Sequence, residues 1–197
     1  SSSFTLAVWV HSTTPGKGIE GLMTKGAPGI GGYGLTLGDR GDLALWLDDG
    51  AGNTDWIRTD VPLTGDRWYF VAASYDALSD RVTLYQSQLR EQQVDEWETV
   101  AEACVAAGPS GGVGKPFLMG AWDGVNNQPG DAVGHHFNGK LDRPRIFDSA
   151  LGREEIGIIR SADISGAVYT PSTIASWDFS KDMGYANVID TGVNQLA

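Results

Sequence analysis

Cysteine is almost missing from this chain of 197 residues, where Cys104 stands alone. One cysteine forms no intrachain disulfide, which argues against a small secreted domain held by bridges and fits a reducing, cytoplasmic setting. Histidine occurs only three times, and His135 and His136 are adjacent. On a strand they point to opposite faces and cannot share a metal, while His11 is isolated. Basic residues are scarce as well: 14 Lys and Arg against 25 Asp and Glu leave a net charge of −11. A chain without a basic stripe has nothing to release counterions from a phosphate backbone, so nucleic acid is not an expected partner. Long apolar runs are absent, as is a signal peptide, so no membrane span is expected. Helix-favouring stretches are almost absent too.

What the chain has is glycine, 27 residues of it, placed between β-branched and aromatic runs. That pattern predicts an all-β antiparallel sandwich, and a chain of this length can bury a full core as one domain over 1–197. Phe4, Leu6, Val8 and Val10 alternate with Thr5, Ala7 and Trp9, apolar on both faces, which marks a central strand. Strands are expected over 21–26, 33–38, 42–48, 57–61, 67–75, 81–86 and 140–147. Asp39-Arg40-Gly41 is a tight hairpin signal. Ser149 is the expected N-cap of a short helical turn after the last of these strands, with Glu154 and Glu155 near its start. Pro144 cannot donate to a sheet ladder, so its strand should be bulged or at an edge there.

The order of these segments carries a resemblance. Phe4-Thr5-Leu6-Ala7-Val8-Trp9-Val10, Leu22-Met23-Thr24-Lys25-Gly26, Gly65-Asp66-Arg67-Trp68-Tyr69-Phe70-Val71-Ala72, Val82-Thr83-Leu84-Tyr85 and Phe117-Leu118-Met119-Gly120 lead to a closing stretch, Phe137 to Ile159. Together they resemble the successive strands of a laminin-G-like, concanavalin A-type jelly roll over most of residues 4–160. Past that point, Trp177-Asp178-Phe179 and Asp190-Thr191-Gly192 are similar to the segment that normally opens such a domain. The tail over 171–197 is therefore read as a circularly permuted opening strand, the alternative being the start of a second module. The same arrangement resembles the jelly-roll domain of N,N-dimethylformamidase-type large subunits. That likeness implies a bacterial cytoplasmic hydrolase of small formamides whose iron centre, with tyrosine and glutamate ligands, lies in another part of the subunit. The chain starts almost directly on a strand and stops just after a turn, so it reads as a fragment of a longer polypeptide.

Candidate sites are few. Glu96 and Glu98 flank Trp97, and residues two apart on a strand share a face about 6.5–7 Å apart, a separation glycoside hydrolysis can use. The glucanase pattern of the fold is not met, so a solvated hairpin tip is expected instead. Asp48, Asp49, Asn53 and Asp55 offer hard oxygen ligands on a glycine-rich loop, and Asp142 is a second candidate calcium ligand at the sheet rim. A buried aspartate bonding neighbouring backbone N–H groups is the structural role open to Asp142. Trp56, Trp97 and Trp122 fall in loops or loop margins. An aromatic there can stack on a sugar or anchor a partner, and can equally fill a core or interface. Cys104, followed by Val105-Ala106-Ala107, is expected to be a buried, inert thiol.

Three functions stay open from these residues. The first is a non-catalytic accessory and assembly domain of a larger hydrolase, bound to the rest of its polypeptide and to other subunits. The others are a carbohydrate-binding module and a secreted protein-adhesion module, the last usually with structural calcium.

Overall fold

A computed structural model of the chain describes residues 2–90, 99–106, 108–110, 114–123, 133–165, 173–179 and 190–191. Two antiparallel sheets face one another as a β-sandwich jelly roll. The six-stranded sheet runs β11 (Thr173–Ser176), β10 (Gly139–Phe147), β1 (Phe4–Ser12), β6 (Arg67–Asp76), β7 (Arg81–Gln88) and β8 (Thr99–Cys104). The five-stranded sheet runs β5 (Thr54–Pro62), β4 (Asp42–Asp48), β3 (Gly31–Leu37), β2 (Glu20–Ala27) and β9 (Phe117–Met119). β1 is central, as its two apolar faces require, and pairs with β6 without interruption from Phe4↔Tyr75 to Ser12↔Arg67.

The period of two decides where each residue goes. Phe4, Leu6, Val8 and Val10 turn inward with Tyr69, Val71, Ala73 and Tyr75, and meet Leu35, Leu37, Leu43, Leu45 and Leu47 across the sandwich. The other parity of the six-stranded sheet, with Ala7, Trp9, Phe70, Ala72 and Tyr85, forms a second apolar layer under Ile156 and Ile159 of α1 (Arg153–Ser165). A helix therefore covers the outer face of that sheet. At the β3–β4 turn, Gly41 takes a positive φ of 79° and donates to the Gly38 carbonyl at 2.9 Å, closing the expected hairpin.

The helix is longer than a single turn, and its cap lies three residues later than Ser149. Gly152 occupies the cap position: its N–H donates to the Glu155 carboxylate at 2.8 Å, and its carbonyl accepts from Ile156. That is a capping box without a serine. The Ser149 carbonyl instead accepts from the Thr5 hydroxyl, which also takes the Leu151 N–H, so the chain is pinned to β1 before the helix can begin.

The tail joins the same sheet. β11 pairs antiparallel with β10, and Asp190 accepts the Ser176 N–H at 2.8 Å. Trp177 stacks on Phe117 with the rings 7° from parallel, tying this edge to the five-stranded sheet.

Candidate functional site

The site worth building starts at Pro144. β1 and β10 are in register at Ala7↔Arg145 and at Trp9↔Asp142, two residues apart on β1 and three on β10. The extra residue makes a bulge, with Arg143 at a positive φ of 49°. In a regular strand Asp142 and Arg145 would point to opposite faces. The bulge returns both to the face that carries Trp9, so a proline in mid-sheet aims two charged side chains at the end of α1. The expected irregularity is there, and β10 is an interior strand.

What they meet is Asp163, in the last turn of α1. Its carboxylate takes both guanidinium nitrogens of Arg145, at 3.0 and 2.6 Å, and the Trp9 indole N–H at 3.0 Å. Arg143 donates to the Asp163 backbone carbonyl at 2.5 Å and stands 3.5 Å from its carboxylate. An aspartate at a helix C-terminus opposes the helix dipole, and α1 has no basic residue of its own there. The two arginines of β10 supply the compensating charge.

Beside this cluster a cavity of about 420 Å³ opens on the outer face of the six-stranded sheet. Trp9, Trp68, Leu89 and Ile164 give it an apolar lining, and Asp142, Arg143 and Asp163 provide its polar lining. Asp163 is engaged by the arginines and Trp9, whereas among the described residues Asp142 has a distant partner, Arg143 Nε at 4.0 Å, and the Arg143 backbone N–H. Burial pushes the Asp142 carboxyl above the ordinary carboxylate range, and the Arg143 guanidinium only partly offsets it. His11 lies next along β1, its ring edge-on to Trp68 at 5.3 Å.

The residues expected from sequence fall elsewhere, apart from Asp142. That residue lines the cavity, half-exposed and on the sheet opposite the Asp48 loop. Asp48 is fully buried, and its oxygens accept the Gly29 N–H at 2.6 Å, the Gly50 N–H at 2.9 Å and the Thr54 hydroxyl. Asp49 accepts from Ala51 and from both nitrogens of Asn53, and Asp55 accepts the Ala106 N–H. These oxygens are engaged in holding the loop. Among the described residues no three His, Cys, Asp or Glu side chains converge to hold a metal.

Trp122 is buried at 4% exposure and does not offer a stacking face. It packs edge-on to Trp46 at 6.1 Å, beside Trp56 at 6.3 Å and over His135 at 4.0 Å, forming a small aromatic cover on the five-stranded sheet. Trp56 is 36% exposed and carries Arg58 over its ring. Trp97, with Glu96 and Glu98, lies outside the described residues. Cys104 is exposed, contrary to expectation. The burial of β8 alternates, and Val105, not Cys104, shares the inward parity of Ala101 and Ala103.

Comparison with known proteins adds the rest. Residues 1–157 match a laminin-G-type family model described as the concanavalin A-like lectin/glucanases superfamily. The N,N-dimethylformamidase beta subunit of Paracoccus aminophilus is 27% identical over 192 residues, 92% of this chain, and that of an Alcaligenes species is 26% identical over 193. The chain spans about a quarter of the length of these curated relatives, 24% in each case. Among solved structures, the Ruminococcus gnavus IT-sialidase CBM40 bound to alpha2,3 sialyllactose superposes with a TM-score of 0.58 at 18% identity, covering 80% of this chain and 82% of that one.

Proposed function

The chain belongs to the concanavalin A-like lectin/glucanase superfamily, and we propose that it serves as a non-catalytic accessory and assembly domain of a larger hydrolase resembling N,N-dimethylformamidase. The observation behind this reading is the reach of the similarity. The beta-subunit relatives align over 92% of the chain, beyond the family match that ends at residue 157. Formamide cleavage, with its iron and the tyrosine and glutamate ligands, would then reside elsewhere in the longer polypeptide. The partners of this domain would be the rest of that chain and its companion subunits.

Formate release from N,N-dimethylformamide tests the proposal, measured on the intact polypeptide with its subunits and on the 197-residue chain alone. Turnover by the intact assembly with none by the isolated chain is the expected result. Formate release by the isolated chain would overturn the non-catalytic role, and an inactive assembly loaded with iron would overturn the link to formamide hydrolysis.

The tail belongs to the same proposal, as a permuted opening strand whose pairing with β10 supports that reading. A chain ending at residue 170 would uncover the β10 edge and aggregate; a well-folded monomer of that length would count against it. A second reading, a lectin-like module, is favoured by the likeness to a CBM40 bound to a sialylated sugar, which is a likeness of fold.

A further inference from the structure

We propose that the cavity between the end of α1 and the β10 bulge binds a neutral, hydroxyl-rich ring, the pyranose unit of a carbohydrate. The proposal deepens the lectin-like reading and rests on it, by assigning the sugar to the helix-covered face of the six-stranded sheet.

Four features specify the ligand. The cavity, about 420 Å³, sits at the small end of pockets that take small molecules, which suits a ligand of one or two rings. Its charge disfavours an anion: Asp163 is already paired with Arg145, Asp142 stands 4.0 Å from Arg143, and Asp178 adds a further negative charge near Asp142. Its polar groups are complementary to a diol. The Asp142 carboxylate accepts hydroxyl protons, while Arg143, held through one nitrogen by the Asp163 carbonyl, keeps further N–H groups to donate to hydroxyl oxygens. Finally, the half-buried Trp68 ring offers a flat apolar surface to the C–H face of a sugar, with Leu89 and Ile164, 40% and 47% exposed, in the same apolar lining.

The experiment uses the 197-residue chain. Methyl glucoside, galactoside and mannoside and their oligosaccharides are titrated by calorimetry and by saturation-transfer NMR. Trp68→Ala and Asp142→Asn are compared with wild type, and Trp56→Ala on the opposite sheet serves as the control, each checked by circular dichroism. Loss of a hydrogen bond to a charged group in Asp142→Asn, and of the stacking ring in Trp68→Ala, should each weaken binding by about tenfold or more, with Trp56→Ala unchanged. Trp68→Phe, which keeps a ring in place, should recover part of the loss. Sugar binding that survives Trp68→Ala and Asp142→Asn would overturn the cavity assignment and leave the lectin-like reading standing. Absence of binding to every glycoside would overturn both, without touching the accessory role in the hydrolase.

Discussion

Removing the Asp163 carboxylate should detach the end of α1 from the sheet. The side chain is 4% exposed and is shared by Trp9, Arg145 and Arg143. Breaking a fully buried pair from one side costs about 3–5 kcal/mol, because the partner is left charged and unpaired. Here Arg145 keeps 19% of its side chain in solvent and Arg143 30%, so both can rehydrate in part and the cost falls below that range. The buried Trp9 N–H loses its acceptor as well, adding about 1 kcal/mol. A net loss of about 3 kcal/mol follows for Asp163→Ala, and Asp163→Asn should lose less because it retains an acceptor. For a domain of this size that corresponds to a fall in Tm of about 6–12 °C. Urea unfolding of wild type, Asp163→Ala, Arg145→Ala and the double variant provides the measurement, with the midpoint moving and the slope constant. The two single effects should be coupled by more than about 1 kcal/mol. A coupling near zero, or an Asp163→Ala variant within about 1 kcal/mol of wild type, would refute the reasoning.

Gly34→Ala should destabilise by about 1–3 kcal/mol through overpacking, since a Cβ there would sit 2.4 Å from the Trp46 indole nitrogen, under the Trp122 cover. Thermal unfolding and the near-ultraviolet dichroism of the indoles report it. Cys104 should react with a thiol reagent in the native protein within minutes, and a thiol that reacts only after denaturation would contradict its exposure on β8. Asp39, Asp49 and Asp76 are held below the ordinary carboxylate range, first by side-chain hydrogen bonds from Arg58, Asn53 and Ser79 respectively. The stability they contribute is complete above their unfolded value of about 3.9 and is lost as pH falls through their lower folded values. Asp142 has the opposite sign: its raised folded value favours the fold most in acid, and that contribution is lost as pH rises from about 4 through the folded value. The stability of wild type relative to Asp142→Asn should therefore decline over that window and be flat above it; carboxyl NMR of the four aspartates checks both directions.

The strands were legible because a half-buried strand writes its period into the chain. β4 (Asp42–Asp48) occupies the expected span, and β1, β6 and β10 differ from theirs by a residue or two. β8 escaped notice because an edge strand carries little of that signal. Its inward residues Thr99, Ala101 and Ala103 are small, and its outward face mixes Val100 with Glu102 and Cys104, so neither parity is clearly apolar. The misplacement of Cys104 has the same origin, since the apolar residue beside it points the other way. The helix was read too short because Gly157 and the scattered polar residues of Arg153–Ser165 dilute its apolar stripe, which Ile156 and Ile159 anchor against the sheet.

The cavity is hidden in the sequence for a different reason, although one of its residues, Asp142, is a candidate there. Its residues come from β1, β6, β10, α1 and the end of β7, separated by up to 155 positions between Trp9 and Ile164, so no spacing in the chain advertises them. The single local clue was Pro144, and it pointed to a bulge. What a bulge does to parity supplies the missing step: it takes Asp142 and Arg145, three apart and therefore opposed in a regular strand, and places them on one face. Once that face is also the one α1 covers, Asp163 meets Arg145, and the pairing offsets the unfavourable dipole interaction of an acidic residue in the last turn of a helix. The carboxylate of the set that, among the described residues, has no arginine within hydrogen-bond distance is Asp142, which lines the cavity with Trp9 and Trp68. Proline, bulge, helix end and cavity are thus one arrangement, and a variant that repaired the strand would dismantle the cavity along with it.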